Sequence, residues 1–129
     1  KLNPNFSEAY IERGRSLLSW LPIAVDGYKE EDLVKIRAAF ADFDKAVKID
    51  PKNAEAYEGR ASSSEKLGKK DSALADYSKA IELNPNLATA YMGRMAIYCE
   101  MGNKELSIAD EKKIKELGFA AINICSLGK

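Results

Sequence analysis

The stretch Ala54–Pro85, AEAYEGRASSSEKLGKKDSALADYSKAIELNP, decides the fold, because the chain on either side repeats it. Shifted forward by about 34 residues, Tyr57 falls on Tyr91, Arg60 on Arg94, Gly68 on Gly102, Asp76 on Asp110, Lys79 on Lys113 and Leu83 on Leu117. Shifted back, its first half meets SEAYIERGRSLL with Tyr10 and Arg13. Its second half meets AFADFDKAVKIDP with Ala39, Asp42, Phe43, Ala46 and Pro51. These two halves stand farther apart than in the other copies, so the first copy carries an insertion near residues 20–30. The copies run over about 7–51, 54–85 and 88–118, and residues 119–129 remain as a C-terminal segment.

Each copy reads as two helices. In the first, Ser7 is a suitable N-cap, and Ala9, Tyr10, Arg13, Leu17 and Leu18 recur at helical spacing as far as about Trp20. Pro22 stops that helix, and a second begins near Glu30, whose acidic neighbours Glu31 and Asp32 suit the positive end of the helix dipole. It runs to about Ile49 before Asp50-Pro51. The central copy gives about Ala54–Leu67 and Asp71–Leu83, with Gly68 supplying the left-handed turn between them. The third gives about Ala88–Met101 and Lys104–Leu117 around Gly102. The apolar tail after Gly118 reads as a helix whose Phe119, Ile122 and Leu127 cover the end of the array. The broken start of a further copy is the competing reading.

Small residues repeat where two backbones must approach, which places Ala39, Ala46, Ala73 and Ala80 at helix crossings, while Tyr57, Leu74, Tyr77 and Ile81 fill the gaps between them. An arginine follows the tyrosine of every copy (Arg13, Arg60, Arg94), and an aspartate recurs in every second helix (Asp42, Asp76, Asp110). The pairing predicts an Arg–Asp bridge within each copy or between neighbours, a device that fixes registry more than it adds stability.

Composition narrows the class. Hydrophobic residues at 46% and charged residues at 31% fit a folded domain. A net charge of zero provides no global field towards nucleic acid or anionic lipid. No apolar run approaches the roughly 18 residues of a membrane span. The opening Lys1-Leu-Asn-Pro resembles the close of the second copy, Leu83-Asn-Pro, so the chain reads as a fragment whose start lies upstream. Cys99 and Cys125 are far apart in a chain without histidine, so no metal site is expected. They read as a reduced pair in a cytoplasmic protein. Neither phosphate-binding glycine pattern occurs, a His-based dyad is excluded, and aromatic and basic residues do not interleave as on nucleic-acid platforms. Neither catalysis nor a cofactor is expected.

The period and the residue types resemble the tetratricopeptide repeat family over nearly the whole chain. In the central copy the family pattern is met by Tyr57, Gly68, Ala73, Tyr77, Ala80 and Pro85. The family's Leu-Gly pair is replaced by Arg60-Ala61 and Arg94-Met95, and Glu111 and Ile114 stand where the central copy has Tyr77 and Ala80. These last two changes suit a terminal copy that is partly exposed. The resemblance implies an all-α, right-handed superhelical solenoid of three helix-turn-helix repeats with a C-terminal cap. It also implies a concave groove, lined by the first helix of each copy, that binds a peptide or protein.

Carried over by offset from each tyrosine, the groove positions are Glu8, Ile11, Glu12, Arg15, Leu18 and Ser19 in the first copy. The second contributes Glu55, Glu58, Gly59, Ser62, Glu65 and Lys66, and the third Thr89, Met92, Gly93, Ala96, Cys99 and Glu100. Family members that clamp an acidic C-terminus use Lys, Arg and Asn there, a set this chain lacks. A neutral or basic protein segment is therefore the expected partner, with no nucleic acid and no membrane span. The glutamates have a plainer reading as a solvated face. Self-association through open array ends, or service as the docking arm of a larger enzyme, are the rival functions. Trp20 and Tyr28 make the insertion a candidate second contact surface, or else a loop packed on its own repeat.

Overall fold

The computed structural model describes residues 6–127, so the comparison of Lys1–Pro4 with a repeat end lies outside the described residues. Its elements are α1 (Ser7–Ser19), α2 (Glu30–Ile49), α3 (Ala54–Lys66), α4 (Lys70–Leu83), α5 (Ala88–Glu100), α6 (Lys104–Glu116) and α7 (Ile124–Leu127). Helices α1 to α6 form three successive pairs, with α2 resting on α3 and α4 on α5. Among the described residues all regular structure is helical, and no helix is long and apolar enough to cross a membrane.

The helix ends follow local chemistry. After α3, Gly68 turns left-handed at φ +80°, and the Lys69 N–H returns to the Ser64 carbonyl at 2.8 Å. Gly102 repeats the turn after α5, with the Asn103 N–H on the Tyr98 carbonyl at 2.8 Å. Both satisfy carbonyls that the helix leaves open. Asn53 Oδ1 caps α3 by accepting from the Glu55 and Ala56 amides. Ser7 differs from its expected role, since it is the first helical residue and Phe6 stands at the uncapped N-cap.

The crossings are where the small residues predict them, for Ala39, Ala46, Ala73 and Ala80 are wholly buried. A closer approach occurs at glycine. The Phe43 ring of α2 lies between α1 and α3, and a Cβ placed on Gly59 would meet it at 2.1 Å. Gly14 of α1 faces the same ring, with a Cβ contact of 2.8 Å, and Gly93 of α5 takes Tyr77 in the same way at 2.3 Å. One aromatic side chain per junction therefore locks two copies together. Burying a ring of this size contributes about 1.5–3 kcal/mol.

The Arg–Asp bridges form within every copy. Arg13 holds Asp42 at 2.7 and 2.8 Å, Arg60 holds Asp76 at 2.8 and 3.0 Å, and Arg94 holds Asp110 at 2.7 and 2.9 Å. Each fork is bidentate. Two of them also cross to the preceding copy, where Arg60 Nη1 donates to Asp44 at 2.9 Å and Arg94 Nη1 to Ser78 at 3.2 Å.

The C-terminal end of the array, α6 and the segment after it, corrects three expectations. Among the described residues of the tail only Ile124–Leu127 is helical, and Phe119, Ile122 and Leu127 are exposed instead of covering the array. Gly118 turns left-handed at φ +91° without a following proline, so the chain runs on irregularly to the buried Asn123. Ala121 is the tail residue packed on the third core cluster. Glu111 and Ile114 are buried, not partly exposed, and a hydrogen bond from Lys115 holds the Glu111 carboxyl below its usual range. Finally, Cys99 and Cys125 form a disulfide and are not a reduced pair. Cys125 follows Tyr91 by one period of about 34 residues, and its bond to Cys99 ties the tail to α5. Disulfides persist in oxidising compartments, so the bond removes the support that free cysteines lent to a cytoplasmic reading.

Candidate binding groove

The first helices α1, α3 and α5 present the residues between their core-facing sides. Between α1 and α3 lies a cleft of about 350 Å³ bordered by Arg15, Leu18, Ser19, Glu58, Gly59 and Ser62. Its floor comes from the second helices, as the rings of Phe43 and Tyr77. The missing Cβ of Gly59 is what lets an aromatic floor reach that depth.

The walls of the cleft are charged and paired. Arg15 reaches Glu55 at 3.0 Å. Glu58 is half-buried, and burial raises its pKa against a hydrogen bond from Thr89 and the nearby Arg15. Farther along α3, Glu65 accepts from the Tyr77 hydroxyl at 3.0 Å, and burial raises its pKa too. The same burial and the Glu65 charge push the Tyr77 phenol far above its ordinary value. Lys66 donates to Ser62 at 3.2 Å, and Glu100 faces Lys70 at 3.5 Å.

Residues 54–87 match the family model for the tetratricopeptide repeat. This is a tetratricopeptide-repeat fold. A crystal structure of MamA superimposes with a TM-score of 0.72 at 24% identity, over 89% of this chain and 56% of that one. The chain thus spans just over half the length of that protein. The first tetratricopeptide domain of Spaghetti (RPAP3), bound to the HSP90 peptide SRMEEVD, gives 0.73 at 22% identity, over 90% and 82%. The TPR2B domain of yeast Sti1, in a complex with pHsp70, gives 0.71 at 21% identity, over 86% and 78%. No curated protein sequence matches the chain.

Within the repeat frame, the offset-derived positions separate into groups. Arg15, Glu58 and Ser62 share the central cleft. Glu65, Lys66 and Glu100 line a second cavity, of about 570 Å³, whose other side is the insertion at Ala24, Gly27 and Tyr28. Ala96, Cys99 and Glu100 face the tail residues Ile122 to Ile124 around a third cavity of about 370 Å³. Glu8 accepts from the Asn53 side chain at 2.9 Å, and Glu12 is exposed. Met92 is packed partly into the third core cluster. Ile11 departs from the expectation, being wholly buried with Ala39 and Phe43. Its offset lies at the border of groove and core, where Glu58 lines the cleft half-buried and an isoleucine turns wholly inward. The aromatic floor is the feature that offset counting missed. Its signal was available in the recurrence of an aromatic and a glycine at one spacing, Phe43 with Gly59 and Tyr77 with Gly93.

Proposed function

We propose that this chain is a non-catalytic interaction module, and that the cleft between α1 and α3 takes an extended neutral or basic segment of a partner protein. One observation carries the reading: the half-buried carboxylate of Glu58 stands in a cleft floored by aromatic rings, and Glu65, half-buried farther along α3, bonds the Tyr77 hydroxyl of that floor. A cationic side chain would restore the solvation those carboxylates lack, while its methylene stem packs against Leu18 above the rings of Phe43 and Tyr77. The SRMEEVD peptide held by Spaghetti carries the opposite charge, and in this chain it would approach a wall rich in glutamate.

The experiment is fluorescence anisotropy with two labelled decapeptides, one alternating lysine and alanine, the other glutamate and alanine. The lysine peptide should bind and the glutamate peptide should not. Glu58→Lys combined with Glu65→Lys should weaken the lysine peptide at least tenfold, about 1.4 kcal/mol. Affinity for that peptide should also fall as the pH is lowered from neutral. The raised Glu58 and Glu65 carboxyls take up protons above the ordinary value of 4.5, and a protonated carboxyl no longer attracts lysine. Equal binding of both peptides, or unchanged binding to the doubly reversed variant, would defeat the proposal.

A further inference from the structure

The insertion between α1 and α2 has two unlike sides. One leans on the repeats: Tyr28 is partly buried, close enough to Glu65 that burial and that charge raise its pKa. The other side holds large apolar residues in water, with Trp20 76%, Val25 86% and Ile23 93% exposed. A run of this kind on an ordered loop is uncommon unless something covers it.

Two of these exposed residues border a shaped and charged hollow. Ile23 and Val25 line a cavity of about 460 Å³ together with Asp26, Lys29, Glu31 and Asp32. Asp32 is buried and accepts from the Lys29 amide at 3.1 Å, so its carboxylate is fixed at the start of α2. Three carboxylates against one ammonium leave the rim acidic. Such a rim repels acidic segments and anionic headgroups, and it steers basic ones towards the apolar wall.

We propose that the insertion is a second docking site, separate from the groove, for a protein segment carrying a large apolar side chain beside lysine or arginine. The apolar residue covers Ile23 and Val25, and the cation meets Asp26 and Glu31.

Trp20 is the only tryptophan of the chain, so its emission reports on this loop directly. The full chain is titrated with a tryptophan-free amphipathic peptide of leucine and lysine, and with its leucine and glutamate counterpart. A saturable blue shift is expected with the first and none with the second. Ile23→Ser with Val25→Ser, and separately Asp26→Lys with Glu31→Lys, should each weaken the response at least tenfold. These side chains lie on the surface, and unchanged circular dichroism would establish that the variants fold. Glu58→Lys should leave the Trp20 response intact, which separates this site from the groove. The proposal is overturned by equal shifts with both peptides or by an undiminished response in both double variants. It is also overturned by a shift that grows with the chain's own concentration, which means a second copy, or by one produced by phosphatidylcholine vesicles but not by the lysine peptide.

Discussion

Gly59→Ala is expected to lower the stability of the chain by about 2 kcal/mol, although alanine is the better helix former. In an exposed helix this exchange gains about 1 kcal/mol. Here the new Cβ would lie 2.1 and 2.2 Å from two carbons of the Phe43 ring. That ring is buried and packed against Gly14 on another helix, so it cannot retreat from Gly59 towards α1. Overpacking of this kind costs about 1–3 kcal/mol and occasionally more, and the top of that range outweighs the helical gain. Urea melts of Gly59→Ala and of Phe43→Leu with Gly59→Ala provide the check. The smaller leucine should recover part of the loss. A Gly59→Ala protein more stable than the parent would show that α2 and α3 do not meet as described.

Arg60→Ala should cost more, about 3 kcal/mol, as expected when a largely buried charge pair loses one partner. Arg60 ties three helices: its fork holds Asp76 of α4, its remaining nitrogen holds Asp44 of α2, and its guanidinium lies 5.5 Å from the Tyr57 ring on its own α3. Removal leaves two aspartates without their shared cation. Arg13 offers the internal comparison, since it makes the same fork to Asp42 but its side chain is 54% exposed against 22% for Arg60. Arg13→Ala should cost less, about 1.5 kcal/mol, because water reaches the Arg13 side of the fork although Asp42 is buried. Arg60→Lys should not recover the loss, because one ammonium cannot serve a bidentate partner and a third carboxylate oxygen together. Equal losses at Arg13 and Arg60 would contradict the cross-copy role of Arg60.

The repeating parts of this fold were legible because the chain supplies its own comparison. Helix ends marked by Gly68 and Gly102, crossings marked by paired alanines, and the Arg–Asp bridges all follow from matching one copy against another. What escaped lies where the repetition fails. The tail has no later copy to set its register, so its most apolar residues read as a cover for the array although the turn at Gly118 leaves them in water. The Cys99–Cys125 bond was not readable from spacing, because the two sulfurs meet only once the tail is seated beside α5. Ile11 shows a subtler limit. A position on the border between groove and core follows its own side chain, so the same offset gives a half-buried carboxylate at Glu58 and a core residue at Ile11. The groove floor belongs to the second helices, and a count along the first helices could not include it.

The central claim is that the cleft between α1 and α3 is the working surface, and amide chemical-shift mapping tests it most directly. The lysine-alanine decapeptide is titrated into the isotope-labelled chain, and the perturbed residues are placed on the fold. The account predicts shifts centred on Arg15, Ser19, Glu58 and Ser62, spreading to Glu65 and Lys66. Shifts confined to α4 and α6, with those residues unmoved, would contradict it.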